Sequence, residues 1–185
     1  MDEVKKNFVD GICDILVKQK SVNKKEAESM REDFHNNSQI AFDDFLLSEG
    51  LVAKENILKA LSEYYGVPSM DVVGFFFDHD LVRDFPKDFL LQNLIIPRSV
   101  DGEADMIFFV ANNPDIPGLK SEIEKYSPYV PEFLVGLAQD IIDEIRNAWD
   151  KSPTYIDDLT DEDEVEDKIF EEEKTVDEII DKERL

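Results

Sequence analysis

The stretch that most constrains the fold is residues 85–119, FPKDFLLQNLIIPRSVDGEADMIFFVANNPDIPGL. Two apolar runs, over residues 94–100 and 106–111, are separated by an Asp-Gly turn, and this pattern predicts a β-hairpin. Pro97 has no N–H for a ladder hydrogen bond, so the first strand should lie at a sheet edge or carry a bulge. The stretch shows no nucleophile–base pair, metal-ligand cluster or phosphate loop, which indicates a scaffold.

Before this stretch, apolar residues recur at the spacing of amphipathic helices. Asn23, followed three residues later by Glu26, resembles a capping box and predicts the start of the second helix. Gly50 and Gly66 are suited to end the third and fourth helices. The pattern therefore predicts four helices, over residues 3–19, 23–35, 41–49 and 54–65.

The four helices contain an internal repeat. Displacing the chain by 30 residues places the first helical hairpin over the second without a gap. Ile12 and Leu16 then fall on Phe42 and Leu46, and the apolar positions nearly all stay apolar. We interpret this as two hairpins of one design packed together. The alternative is that any two amphipathic hairpins look alike.

After the central hairpin the pattern predicts a helix, a third strand over residues 129–135 and an amphipathic helix over 137–149. The predicted fold class is α+β, with two N-terminal helical hairpins followed by a small, mostly antiparallel three-stranded sheet that carries helices on one face. The predicted parts are a helical subdomain over 1–68, an α+β subdomain over 69–153 and a disordered acidic tail over 154–185.

The charge of the chain limits its partners. The net charge is −24, and residues 154–185 contain 15 acidic and 4 basic residues. The rest of the chain is also acidic, so its surface repels nucleic-acid phosphates and anionic membranes. We therefore expect no nucleic-acid binding and no direct membrane insertion. The tail is either an acidic linker or a docking motif, because Ile169, Phe170 and a few other apolar residues are spaced to form one helix face.

Residues with catalytic potential are sparse. His35 and His79 are isolated, and Cys13 lies on or beside the apolar face of the first helix, where a buried, inert thiol is expected. The phenylalanines of residues 75–77 are expected to fill the core. We predict no catalytic, cofactor-binding or metal-binding residue and no enzymatic activity. With no signal peptide and no transmembrane run, the expected location is the cytoplasm.

Three parts of the chain resemble the N-terminal domain of the ATPases that drive type II secretion and type IV pilus assembly. They are FLLSEGLVAKENILKALSEYYGVP at Phe45–Pro68, the run Asp78–Asp115, and the closing strand and helix through Trp149. In that family the domain docks on partners at the cytoplasmic face of the inner membrane. An acidic linker usually follows it. The chain has no GxxxxGK[ST] motif, so ATP hydrolysis is not implied, and we expect a stand-alone domain.

A subset of these domains binds cyclic di-GMP through two helical motifs that begin Arg-Leu-Gly and end in Gln. Here the triplet positions are Gly11-Ile12-Cys13 and Ala41-Phe42-Asp43, and the end positions are Phe34 and Tyr64. An anionic dinucleotide thus loses its arginine partners, which disfavours cyclic di-GMP. The motif positions that remain, candidate ligand contacts in this alternative only, are Leu46, Leu47, Gly50, Ile57 and Leu61.

The hypothesis favoured by these residues is a non-catalytic interaction or regulatory module. Its expected partner is a secretion, pilus or signalling component or a separate ATPase, which would hold it peripherally at the inner membrane. The alternative is a divergent receptor for cyclic di-GMP or another small ligand.

Overall fold

The computed structural model describes residues 2–37 and 40–150, so the predicted acidic tail lies outside the described residues. The chain begins with four helices, in which α1 packs against α2 and α4, and α3 packs against α4. Their bounds are α1 Asp2–Lys18, α2 Lys24–Asn37, α3 Phe42–Ser48 and α4 Lys54–Tyr65. The predicted N-terminal helices are therefore confirmed.

Local sequence signals set the helix ends. The N–H of Glu26 donates to Asn23 Oδ1 at 2.9 Å, and the N–H of Asn23 donates to Glu26 Oε2 at 2.7 Å, so the predicted capping box is formed. Gly66 ends α4 in the left-handed conformation, at a φ of 68°. Glycine has no Cβ to clash in that conformation, and the predicted end of this helix is confirmed.

The second part of the chain combines four short or medium helices with a three-stranded sheet in the order β1-β2-β3. β1 is an edge strand, and its register with β2 shifts between Pro97 and Ser99, so both consequences expected of Pro97 are present. The α+β class is confirmed. The elements are α5 His79–Arg83, α6 Lys87–Asn93, β1 Ile95–Asp101, β2 Met106–Ala111, α7 Leu119–Ile123, β3 Val130–Val135 and α8 Ala138–Asp150.

The expectation of a mostly antiparallel sheet needs correction at its second strand pair. β1 and β2 are antiparallel, but β2 and β3 run parallel, so the sheet is mixed. The reason is the connection, because α7 lies between β2 and β3 and carries the chain back to the starting end of the sheet. A further segment joins the other edge of β3 through a single parallel bridge between Ser69 and Val135.

The described residues contain two buried apolar clusters. The first fills the space among α1–α4, and the second packs α5, α6, α7 and α8 against the sheet around Ile95, Phe109 and Ile141. Val135 and Leu137 belong to the first cluster although they lie at the end of β3 and before α8. The two halves of the fold therefore meet at the β3–α8 connection. Among the described helices, none has both the length and the apolar character needed to cross a membrane.

Candidate functional site

A buried carboxylate joins the two halves of the fold. Asp43 lies in the first turn of α3 and is only 2% exposed. Its Oδ2 accepts hydrogen bonds from Asn112 Nδ2 and from the N–H of Ala138, both at 2.9 Å. A buried charge is costly unless it is hydrogen-bonded, and these two donors come from the end of β2 and the start of α8. One oxygen atom thus links three elements.

We call this contact between the two halves of the fold, centred on Asp43, the joint. Asn112 and Gly136 complete it from the α+β half. The side chain of Asn112 also donates to the carbonyl of Gly136, at 3.2 Å. The N–H of Gly136 donates to the carbonyl of Ala111 at 3.0 Å, which extends the pairing of β2 and β3 by one residue. A Cβ atom on Gly136 would lie 2.6 Å from Val110 Cγ1. Glycine is therefore favoured here because a Cβ atom would collide with the buried side chain of Val110.

Asp44 continues the same contact at the next residue. Its Oδ1 accepts a hydrogen bond from the N–H of Gln139 at 3.2 Å. Together Asp43 and Asp44 accept from the first two N–H groups of α8, which have no partners inside their own helix. The negative charges also lie at the end of α8 where the helix dipole favours them. The joint is thus a helix cap supplied by another helix.

Burial raises the pKa values of both carboxyls. For Asp44 the pKa rises to about 6, through burial first and then the charge of Asp43, while the hydrogen bond from Gln139 opposes the rise. The charges of Asp140 and Asp143 raise the pKa of Asp44 further. Burial also raises the pKa of Asp43, against the hydrogen bonds from Ala138 and Asn112 that favour the ionised form. Burial thus opposes ionisation of both carboxyls, and the hydrogen bonds that they accept offset this only in part.

Lys54 supplies a positive charge to the same region. Its Nζ lies 2.8 Å from Asp140 Oδ2 in α8 and 2.7 Å from Asp71 Oδ1. Burial lowers the pKa of Lys54, but the bonds to Asp140 and Asp71 outweigh this and raise the pKa overall. The lysine side chain is 26% exposed, so this ion pair is partly protected from solvent. It ties α4 to α8 beside the carboxylate joint.

This arrangement is built for cohesion. A catalytic acid or base must reach a substrate, whereas Asp43 Oδ2 accepts both of its hydrogen bonds from groups inside the protein. Within residues 2–37 and 40–150, no group of three or more His, Cys, Asp and Glu side chains is placed to hold a metal ion. The polar groups of the joint form hydrogen bonds with one another, and these bonds attach one half of the fold to the other.

The structure divides the five candidate ligand contacts into two sets. Leu46, Ile57 and Leu61 are at most 1% exposed and lie together in the first apolar cluster. Leu47 is 38% exposed, and Gly50 lies in the loop that follows α3, at a φ of 65° with open space around its Cα. Only Leu47 and Gly50 are therefore accessible to a ligand, and the binding assignment of all five stays a prediction.

Aromatic packing occupies the positions that correspond to the cyclic di-GMP motifs. Phe34, an end position, packs against Phe42 of the second triplet with ring centroids 4.9 Å apart. Tyr64, the other end position, lies so close to Gly11 of the first triplet that an added Cβ would be 2.5 Å from its ring. The end residue of the first motif, Phe34, thus packs on the second triplet, and the end residue of the second motif, Tyr64, packs on the first triplet. Both contacts are made by aromatic rings. No arginine or glutamine stands at these positions.

Sequence reasoning missed the role of Asp43. In a chain with 44 acidic residues, adjacent carboxylates such as Asp43 and Asp44 are expected to be solvated, and this expectation is wrong for Asp43, which is buried. The internal repeat contained the signal, because the displacement by 30 residues places Cys13 on Asp43. Cys13 is fully buried as expected, and burial raises its thiol pKa to about 11. A buried position in one hairpin predicts a buried position in the other.

Comparisons with known proteins relate this geometry to solved structures. No protein-family model matches the chain, and no curated protein matches it. A solved structure described as "MshE with cdg" is 19% identical, with a TM-score of 0.57, and the match covers 74% of this chain and 97% of that chain. The N-terminal domain of XpsE is 17% identical, with a TM-score of 0.43, over 71% of this chain and 89% of that chain.

At this level of identity the likeness to MshE concerns the fold. The resemblance to N-terminal domains of secretion and pilus ATPases is confirmed in that sense.

Proposed function

We propose that this chain is a non-catalytic protein-interaction and regulatory module that docks on or regulates a secretion, pilus or signalling assembly. Its partner is a component of such an assembly or a separate ATPase. It acts in the cytoplasm and reaches the inner membrane through that partner. The fold shared with MshE, which includes 97% of that chain, supports this proposal.

The observation that carries the proposal is that one buried carboxylate and two partly buried polar side chains serve cohesion within the chain. Asp43, Asn112 and Lys54 are engaged by partners in other elements of the same chain. Because these polar groups are already bonded within the chain, a partner would bind the outer surface of the domain. Binding through a surface requires no cleft.

Co-purification tests this function. The full chain, tagged and produced in its native host, is recovered at low salt, and the proteins that accompany it are identified. We expect a secretion, pilus or signalling component to be enriched. An equally acidic, unrelated protein with the same tag is the control, because a net charge of −24 captures basic proteins unspecifically. Failure to enrich any such component above this control would contradict the proposal.

A second candidate function is the binding of cyclic di-GMP, the ligand with which MshE was solved. The exposed Leu47 and Gly50 favour it, while the aromatic contacts at the motif positions and the acidic surface oppose it. Calorimetry with cyclic di-GMP separates the two functions. We expect no heat of binding. Micromolar or tighter binding that Leu47→Asp abolishes would reverse the ranking.

A further inference from the structure

One large apolar side chain is almost fully exposed. Phe76 is 98% exposed, whereas Val72 and Phe77 on either side are buried. The prediction that all three consecutive phenylalanines fill the core is therefore wrong for Phe76. Phe75 and Phe77 contact each other edge to face, with ring centroids 4.9 Å apart, and this contact turns both toward the protein. Phe76 is left pointing to solvent, beside Val73, which is 61% exposed.

The segment that carries Phe76, residues 72–77, is fastened at both ends, and we call it the Phe76 loop. Asp71 accepts a hydrogen bond from the N–H of Val73 at 3.1 Å and is itself bound by Lys54. At the other end Asp78 caps α5 through the N–H of Asp80, at 3.0 Å. The protrusion is therefore held in place before any partner arrives, which reduces the entropy lost on binding.

The loop is also braced from the sheet. The guanidinium of Arg98 in β1 lies 5.2 Å from the centre of the Phe75 ring, a cation–π contact. The N–H of Phe75 donates to the carbonyl of Val72 at 3.1 Å, which closes a turn around Gly74. Gly74 has a φ of 80°, a conformation that favours glycine. The shape of the loop is thus specified by several independent contacts.

The charges around Phe76 indicate what covers it. Two acidic side chains lie beside the loop, each near a basic partner: Asp71, 46% exposed, pairs with Lys54, and Asp80, with a side chain 96% exposed, lies 3.6 Å from Arg83. A second copy of this chain would bring like charges together in a symmetric contact. An anionic lipid surface is repelled for the same reason. Because the chain as a whole carries a net charge of −24, a basic protein surface complements it.

We propose that the Phe76 loop is a docking protrusion that inserts Phe76 and Val73 into an apolar pocket of a partner protein whose rim carries Lys and Arg side chains. This inference rests on the proposed function and names the chemistry of the partner. Aromatic side chains buried at the centre of an interface commonly carry much of its binding energy, with charged groups at the rim.

Photo-crosslinking in the full chain tests the proposal. Phe76→p-benzoyl-L-phenylalanine is produced in the native host and irradiated, and the crosslinked peptide is sequenced. Tyr126→p-benzoyl-L-phenylalanine is the control, because Tyr126 is an aromatic residue 44% exposed on a different segment. We expect position 76 alone to capture a protein at a peptide with apolar residues beside Lys or Arg. Capture of a second copy, a lipid or residues 154–185, or no capture at all, would overturn the proposal.

Affinity measurements with the captured partner complete the test. Phe76→Ala should weaken binding at least about tenfold, whereas Phe76→Leu should weaken it less, because it keeps an apolar side chain. Neither change should shift the melting temperature, since Phe76 is exposed. A partner that co-purifies but binds Phe76→Ala as tightly as the wild type would refute the docking role of the Phe76 loop and leave the proposed function standing. The absence of any enriched partner would instead remove the function.

Discussion

The predicted 30-residue repeat aligns two buried positions that carry different chemistry. In the first hairpin the aligned position holds Cys13, and in the second it holds Asp43, and both are buried. Cys13 lies in the apolar cluster among the helices. Asp43 instead accepts hydrogen bonds from the N–H of Ala138, at the start of α8, and from the side-chain amide of Asn112. The difference teaches that burial alone does not decide polarity, and that the neighbour across the interface does.

The physical reason lies in the partner surface. An apolar neighbour requires only a side chain of fitting volume, which a thiol provides. The start of a helix presents N–H groups that are costly to bury without an acceptor, which a carboxylate provides. A hydrogen bond is also directional, so the Asp43 contact specifies the register of α3 on α8 in a way that apolar packing does not.

Truncation of each equivalent residue gives the largest expected contrast. Asp43→Ala leaves the buried N–H of Ala138 without its acceptor and leaves Asn112 Nδ2 with only the carbonyl of Gly136, so we expect a loss of about 3 kcal/mol in the free energy of unfolding. Cys13→Ala removes one buried sulfur atom and should cost about 1 kcal/mol. Urea unfolding of the full chain followed by circular dichroism measures both. Equal losses would break the comparison.

Two close-packed glycines sharpen the contrast at a smaller magnitude. Gly136→Ala places a methyl group 2.6 Å from Val110 Cγ1, inside the joint, and should destabilise the protein by about 2 kcal/mol. Gly11→Ala also creates a close contact, at 2.5 Å, but with the ring of Tyr64, which is only half-buried and can move. Alanine is also the better helix former, so we expect a change in stability within about 1 kcal/mol. Thermal unfolding of Gly136→Ala and Gly11→Ala measures which change destabilises the protein more. A larger loss for Gly11→Ala would contradict the prediction.

The smallest expected effect concerns pH. Because the pKa of folded Asp44 is raised to about 6 from an ordinary 3.8, the folded state holds this proton more tightly than the unfolded state. Stability from this group is therefore full below pH 3.8 and is lost as the pH rises through 6. Asp44→Asn keeps an oxygen for the N–H of Gln139 and removes the charge. At pH 7.5 it should stabilise the protein by roughly 1 kcal/mol, after allowance for solvent screening.

Urea unfolding of wild type and Asp44→Asn across the pH range measures this difference. We expect the two stability curves to converge toward the acid end and to separate above pH 6. Asp143→Asn, a more distant carboxyl on the exposed side of α8, is the matched control and should show a smaller effect. A wild type more stable than Asp44→Asn at pH 7.5 would mean that the dipole of α8 outweighs burial and charge repulsion.

Local features of the fold were predictable from the sequence. The capping box at Asn23, the end of α4 at Gly66 and the bulge after Pro97 each depend on a few neighbouring residues. The end of α6 departs from the local expectation that Asn93 takes the left-handed conformation, because Leu94 adopts it instead, at a φ of 49°. Asparagine tolerates that conformation better, but the Asn93 side chain is engaged with the carbonyl of Phe89.

The candidate site was largely hidden from the sequence. Asp43 and Asn112 are 69 residues apart, and nothing in either local pattern refers to the other. The exposure of Phe76 was hidden for the same reason, since an aromatic run has the same composition whether its middle ring faces the core or solvent. Only the packing of Phe75 and Phe77 against the rest of the chain decides this.

The sequence by itself determined where most helices and strands begin and end, which positions are apolar, and that the body of the chain carries a strong negative charge. These depend on backbone conformation, side-chain periodicity and composition, which are local properties. The tertiary structure alone decided that β3 runs parallel to β2, that Asp43 caps α8 and that Phe76 stands in solvent. Each of these features depends on which segments, distant in the sequence, pack against each other, and this packing is set by the whole chain.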